Sequence, residues 1–170
     1  MANAGVQSAI KHYPGLGAVT GNTDFTTDDI LDTTTTLDGT EIKAFDTTID
    51  QADPAMVMMA LATYQTIDPN DPAVFSSIII DGHLRGDLGY DGVVISDSMS
   101  AAAVSAYDTT QLGIKLVEAG GDLACIGDTN YVAPILDGLS TRAASDPAFA
   151  NKVTQSAIRV MTLKIKMGLA

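Results

Sequence analysis

An uninterrupted apolar run that stops on Ser-Asp constrains the fold of this chain more than any other stretch. Val93, Val94 and Ile95 follow a turn at 88–92 and have no polar residue between them. Such a run is typical of a strand buried on both faces, as in the parallel sheets of α/β proteins. The carboxyl ends of these strands carry the chemistry, which makes Asp97 the first candidate catalytic residue. The alternative is that Asp97 caps the next helix, a position that Asp favours.

The rest of the chain predicts three more strands, with helices between them. Besides the strand that ends at Asp97, we expect strands at 6–11, 55–60 and 122–126. A loop without helical or strand period covers 18–39, and helices are expected at 40–52, 73–88, 100–106, 110–119, 132–143 and 147–167. Strands that alternate with helices predict right-handed βαβ units and a parallel sheet. About four such units are half of a (β/α)8 barrel, so the chain is predicted to be one partial TIM-barrel domain over residues 1–170.

Charge and composition exclude several classes of function. Nine basic residues against 21 acidic ones give a net charge of −12, which argues against a nucleic-acid or anionic-lipid partner. No apolar run approaches the roughly 20 residues that span a bilayer, no signal peptide is recognised, and no compartment is indicated. The single cysteine, Cys125, lies in an apolar run and is expected to be a core residue. Two histidines without a Cys/His cluster predict neither a metal site nor another cofactor.

Two motifs about 80 residues apart carry a family resemblance. They are the stretch KHYPGLG at 11–17 and the stretch GVVISDS at 92–98. Both are similar to the N-terminal domain of glycoside hydrolase family 3, and within it to the β-N-acetylhexosaminidase branch. The segments 84–92 and 157–169 resemble the helix before the nucleophile strand and the final helix of that family. The resemblance covers nearly the whole chain but only the C-terminal half of the family's barrel.

The resemblance implies a retaining glycosidase that acts on a carbohydrate. It gives Asp97 the role of nucleophile, and it implies that Lys11 and His12 donate hydrogen bonds to sugar hydroxyls. The residue types suit this chemistry, because a retaining enzyme needs a rigidly placed carboxylate near the anomeric carbon. The alternative for Lys11 and His12 is a solvated strand end.

The sequence departs from the family at the general acid/base. The hexosaminidase branch carries an Asp-Ser-His triplet in the loop after the first motif, and an ungapped count places Asn22, Thr23 and Asp24 there. Asp24 thus stands where the family has its acid/base histidine, and it could shuttle a proton if desolvation raised its pKa. The alternative is an ordinary loop residue. His83 is expected on the surface of a helix.

The predicted function is therefore that of a glycoside hydrolase of the β-N-acetylhexosaminidase type. A β-glucosidase-like enzyme of the same family is one alternative, and an inactive carbohydrate-binding or assembly fragment is another. A half barrel leaves strand edges unpaired near Val6 and Leu123, so we expect self-association or a partner that supplies the missing units. Exposed barrel-facing residues are expected to include Val94, Met58 and Ala124.

Overall fold

A computed structural model of the protein describes residues 5–28 and 30–170, and a parallel sheet forms its centre. In chain order the strands are β1 (Ala9–Tyr13), β2 (Leu31–Asp32), β3 (Met56–Met59), β4 (Thr63–Tyr64), β5 (Val93–Ser98) and β6 (Leu123–Cys125). Four of them form one parallel sheet in the order β1-β3-β5-β6, and β2 pairs with β4 in a separate parallel pair. This arrangement of strands and helices confirms the predicted α/β half barrel. Across the described ranges, no helix is long and apolar enough to cross a membrane.

The helices follow the predicted positions with two exceptions, at 73–88 and at 100–106, where only a three-residue 3-10 turn forms. The helices are α1 (Thr40–Ala52), α2 (Thr109–Glu118), α3 (Val132–Ser145) and α4 (Pro147–Lys166), with 3-10 turns at Ala73–Phe75, Ala102–Val104 and Thr129–Tyr131. The single helix predicted for 73–88 is wrong, because a 3-10 turn is followed there by a π-helix at Ile78–Asp87. Ser76 separates the two with an extended backbone, and its hydroxyl donates to the Asp68 carboxylate at 2.7 Å.

The two faces of the sheet have different surroundings. Val57, Met59 and Val94 lie on one face and are fully buried in the main core cluster. Ile42 of α1 and Leu112 of α2 belong to the same cluster, so the helices cover this face. The opposite face is open, and its central row of cross-strand neighbours is exposed or half-buried, a row formed by Lys11, Met58, Ile95 and Leu123.

The alternation of side chains corrects two of the residues expected in the open barrel. Val94 is buried against the helices, and Ala124 packs against the same core cluster. Met58 does lie on the open face, half-buried. A continuous apolar run gives no period from which to choose a face, and an offset of one residue moves a side chain to the other side of the sheet.

A buried ion cluster fixes the start of β5. The Asp122 carboxylate is fully buried, and its Oδ2 accepts hydrogen bonds from Arg85 Nη2 at 2.6 Å and from the Val94 backbone N at 2.8 Å. Its Oδ1 lies 3.1 Å from Arg159 Nη1 of α4. Arg85 Nη1 also donates to the Gly92 carbonyl at 2.8 Å. The cluster therefore joins the π-helix, the turn before β5, the start of β6 and α4.

We expect Asp122→Ala to lower the free energy of unfolding by about 3–5 kcal/mol, because it leaves the Arg85 guanidinium buried without its carboxylate. Urea unfolding followed by far-UV circular dichroism measures the change. Arg159→Ala is the control: its side chain is 30% exposed, so its loss should cost clearly less. An equal loss of unfolding free energy in the two variants would contradict the main role assigned to the Asp122–Arg85 pair.

Candidate active site

Asp97 and His12 meet at the carboxyl end of the sheet. Asp97 Oδ2 lies 3.3 Å from His12 Nε2, and the two side chains are 19% and 24% exposed. Their strands, β5 and β1, are not neighbours, because β3 lies between them. Adjacent strands are about 4.8 Å apart, so the two side chains reach toward each other across the end of β3. The resulting carboxylate–imidazole pair is partly open to solvent.

Both residues lie at an irregularity of the sheet. Between β1 and β3 the register advances from Lys11 to Tyr13 on one strand but only from Met58 to Met59 on the other, which makes His12 the extra residue. Between β5 and β6 a second shift falls between Ile95 and Ser98, the stretch that contains Asp97. Bulges of this kind re-aim side chains at strand ends. They explain how strict alternation is broken where the two side chains converge.

A backbone hydrogen bond holds the Asp97 carboxylate in place. Its Oδ1 accepts a hydrogen bond from the Ser98 backbone N at 2.8 Å, which leaves Oδ2 toward His12. Ser96, directly before it, is fully buried, and its hydroxyl accepts from the Cys125 backbone N at 2.9 Å. The Ser96 hydroxyl thus replaces a backbone acceptor where the ladder shifts. Of the two residues that end the apolar run, Ser96 is buried and holds the sheet together, whereas Asp97 is partly exposed at the candidate site.

Lys11 occupies a different environment from His12. Its exposed side chain lies on the open face, in register with Met58. Together with Phe45 of α1 and neighbouring residues it lines a cavity of about 440 Å³ beside β1. The structure therefore brings His12 to Asp97 and leaves Lys11 at the sheet edge, and a sugar contact by Lys11 stays a prediction.

A tight turn carries Asn22, Thr23 and Asp24. Asn22 Oδ1 accepts from the Asp24 backbone N at 2.9 Å, and the Asn22 carbonyl accepts from the backbone N of Phe25 and of Thr26 at 3.1 and 2.9 Å. Thr23 is buried, whereas Asp24 is exposed. Asn22, which replaces the family's orienting aspartate, thus shapes the backbone of the turn.

This turn is attached to the segment that follows β5. The carbonyls of Thr23 and Asp24 accept hydrogen bonds from the backbone N of Ala103 and Ala102 at 3.0 and 3.4 Å. Because the loop leaves the carboxyl end of β1 and the segment leaves the carboxyl end of β5, Asp24 lies at the same end of the sheet as Asp97. The sequence predicted Asp24 and Asp97 at the carboxyl end of the sheet, and the backbone hydrogen bonds join the two segments that carry them.

The remainder of the loop is more ordered than its composition predicts. Asp32 is fully buried, and its carboxylate accepts from the backbone N of Thr34 and of Thr35 at 2.8 Å each and from the Thr35 hydroxyl at 2.6 Å. Burial raises the pKa of Asp32, but the hydrogen bonds from Thr35 and Thr34 outweigh it, so the pKa lies below its ordinary value. The threonine run therefore serves to hold a buried carboxylate.

His83 is buried, which corrects the expectation of a surface position. Its Nδ1 lies 3.1 Å from Asp87 and its Nε2 lies 3.4 Å from Asp46 of α1. The Tyr13 hydroxyl donates to Asp46 at 3.4 Å, and the Tyr13 ring stacks on His83 with centroids 6.5 Å apart. Burial, followed by the charge of Asp46, raises the pKa of Tyr13. Tyr13 directly follows His12, so this cluster anchors the end of β1. The spacing of four residues between His83 and Asp87 on a helix was the available sequence signal.

The arrangement brings together groups that can carry out nucleophilic and acid/base chemistry. The site combines a fixed carboxylate at Asp97, an imidazole within 3.3 Å of it, and a second carboxyl group on the attached turn at Asp24. A carboxylate can act as a nucleophile, and a carboxyl group can donate and accept a proton. Two carboxyl groups at one strand-end site are the working groups of glycoside hydrolysis.

Relatives of the chain carry names that agree with this chemistry. A β-hexosaminidase of Alkalilimnicola ehrlichii is 35% identical over 127 residues, which cover 74% of this chain and 36% of that protein. A crystal structure of a β-N-acetylhexosaminidase from Beutenbergia cavernae is 42% identical with a TM-score of 0.87, covering 92% of this chain and 46% of that one. A family 3 β-N-acetylglucosaminidase from Paenibacillus is 28% identical with a TM-score of 0.85, covering 98% of this chain and 32% of that one.

The family itself follows from a match along most of the sequence. The chain spans less than half the length of each of these relatives. The model of the glycosyl hydrolase family 3 N-terminal domain matches residues 1–163. The resemblance in the two motifs is thereby confirmed, and the chain belongs to glycosyl hydrolase family 3.

Proposed function

We propose that this chain carries the catalytic half of a retaining glycoside hydrolase of the β-N-acetylhexosaminidase type. The observation that supports it best is the Asp97 carboxylate, held at a bulged strand end within 3.3 Å of His12. The names of the relatives point to a β-linked N-acetylhexosaminide as substrate. Amino-sugar metabolism of cell walls or other polysaccharides is the corresponding process.

In the proposed reaction Asp97 is the nucleophile. One carboxylate oxygen attacks the anomeric carbon, the bond from that carbon to the leaving oxygen breaks, and a glycosyl ester of Asp97 forms. Asp24 gives its proton to the leaving oxygen. Asp24 then takes a proton from water, whose oxygen attacks the anomeric carbon and releases the sugar and the free Asp97 carboxylate.

His12 and Lys11 are proposed to bind the sugar. His12 Nε2 lies directly beside the Asp97 carboxylate, so a sugar hydroxyl that binds His12 would be fixed close to the reacting carbon. Such hydrogen bonds matter most when they strengthen in the transition state. Lys11, on the open face of the outer strand β1, is proposed to reach a more distant hydroxyl.

One feature favours a second candidate within the family. Position 24 carries a carboxyl group, where the hexosaminidase branch has an imidazole. A carboxyl acid/base is compatible with a β-glucosidase-like enzyme, and comparison of aryl glucosides with aryl N-acetylglucosaminides separates the two. An inactive carbohydrate-binding or assembly fragment is the third possibility, and it predicts binding without turnover.

Asp97→Asn should reduce kcat by roughly 10⁴-fold or more in the form of the protein that turns over substrate, because it removes the nucleophile. A fluorinated glycoside that traps the glycosyl-enzyme should label Asp97, as peptide mass spectrometry would detect. Asp91→Asn is the matched control, an exposed carboxylate in the turn before β5, and it should keep full activity. A label on another residue would refute the assignment of the nucleophile.

Asp24→Asn should slow glycosides with poor leaving groups far more than activated aryl glycosides, which need little protonation. The ratio of kcat/KM for the two substrate classes measures the effect. Asp28→Asn, an exposed carboxylate on the same loop, is the control and should leave the ratio unchanged. Equal losses on both classes would assign Asp24 a role in loop shape alone.

We also propose that the open face of the sheet is covered in the active protein by further βα units. The face presents Met58, Ile95 and Leu123 in one row, and Leu123 is 36% exposed. In the described part of the chain, β1 and β6 are the outer strands of their sheet, and a 440 Å³ cavity lies beside β1. Exposed apolar faces and unpaired strand edges both favour association.

The purified chain alone should therefore exceed the mass of one copy in concentration-dependent light scattering, or bind a hydrophobic dye with a weak near-UV circular dichroism spectrum. Ile95→Glu, on the open row, should reduce association or dye binding, whereas Ile158→Glu, on the exposed side of α4, should change neither. A rigid, cooperatively melting monomer with hexosaminidase turnover would contradict this proposal.

A further inference from the structure

Phe25 is an exposed aromatic side chain at the carboxyl end of the sheet. The residue is 82% exposed, the highest value among the large hydrophobic residues that the structure describes. Single exposed hydrophobic residues are ordinary on protein surfaces. The position of Phe25 is the distinguishing feature, because it directly follows Asp24 on the turn beside the candidate site.

The turn that carries Phe25 is held by hydrogen bonds within it and by a hydrogen bond to a neighbouring segment. Within the turn, the Asn22 carbonyl accepts hydrogen bonds from the backbone N of Phe25 and from both the backbone N and the hydroxyl of Thr26, the latter at 3.0 Å. Outside it, the Thr23 carbonyl accepts from the Ala103 backbone N at 3.0 Å. The exposed ring therefore stands on a backbone that is hydrogen-bonded to the segment after β5. Because this backbone is already ordered, covering the ring costs only the entropy of its two side-chain torsions.

We propose that Phe25 stacks against the sugar unit on the leaving-group side of the cleaved bond. This inference rests on the proposed function, since Asp24 is the proposed donor to the leaving oxygen and Phe25 is its neighbour in sequence. Pyranose rings with mostly equatorial hydroxyls present a face of C–H groups, which an aromatic ring covers. Binding sites use aromatic walls of this kind together with a few placed polar groups.

The chain offers a direct optical test, because it contains no tryptophan. Phe25→Trp introduces a single indole at the proposed contact, and Asp97→Asn in the same chain prevents hydrolysis during the measurement. Titration with N,N′-diacetylchitobiose should shift the emission to shorter wavelength along a saturable curve, and N-acetylglucosamine should produce a smaller shift. Leu136→Trp in the Asp97→Asn chain is the control, an exposed site on α3 whose emission should not respond.

Phe25→Ala in the Asp97→Asn background should weaken disaccharide binding on the order of tenfold, and Phe25→Tyr should restore it. Ligand-observed NMR on the same samples reports binding independently of the indole. Binding that persists unchanged in Phe25→Ala, or binding to the Phe25→Trp variant without a response of its indole emission, would overturn the stacking and leave the proposed function intact. Indole emission that is already blue-shifted without sugar and follows protein concentration would show that a second copy covers the position, and would also overturn it. Absence of sugar binding by the unsubstituted chain in every assembly state would overturn both.

Discussion

The position of β5, the strand that carries Asp97, depends on one buried carboxylate. Asp122 binds the guanidinium groups of Arg85 and Arg159 and the backbone N of Val94, so it connects β5 to β6 and to two helical segments. A buried charge that is fully paired specifies geometry, because any displacement leaves a partner without its counter-charge. Asp97 lies three residues beyond Val94 on the same strand. The placement of the Asp97 carboxylate at the other end of β5 is therefore set partly at the amino end.

Sequence patterns predicted the elements whose signals are local. The bounds of α1, Thr40–Ala52, agree with the expectation from its apolar spacing, and the four main strands lie within three residues of their predicted starts and within two of their predicted ends. The break at Ser76, before the π-helix at Ile78–Asp87, was missed, because Ser76 is held there by a hydrogen bond to the side chain of Asp68, eight residues earlier. The face predicted for Val94 of β5 was wrong, because the sequence offered no local signal for it. A run of consecutive apolar residues carries no alternation from which a face can be assigned.

The candidate site shows the same division between local and distant information. Asp97 could be singled out from its place at the end of an apolar run, and Lys11 and His12 from a motif. Which of Lys11 and His12 reaches Asp97 depends on a register shift, and no single strand encodes that shift. The burial of His83 depends on Asp46, 37 residues away. Long-range pairings of this kind are invisible to periodicity.

At the two bulges, the side chains of the candidate site are released from the alternation that the rest of the sheet follows. The extra residue at His12 lets Tyr13 return to register with Met59, so the strand continues into the core while one side chain is released from the alternation. The same holds where β5 passes from Ile95 to Ser98. Exchange of the side chain at either position leaves the ladder of hydrogen bonds in place. Deletion of the residue at position 12, in contrast, would remove the bulge, because Lys11 and Tyr13 would then be consecutive opposite Met58 and Met59, and it would remove the imidazole that reaches Asp97. Substitution at position 12 or 97 can therefore change the chemical groups at the candidate site without altering the sheet, whereas loss of residue 12 removes the irregularity and its side chain together.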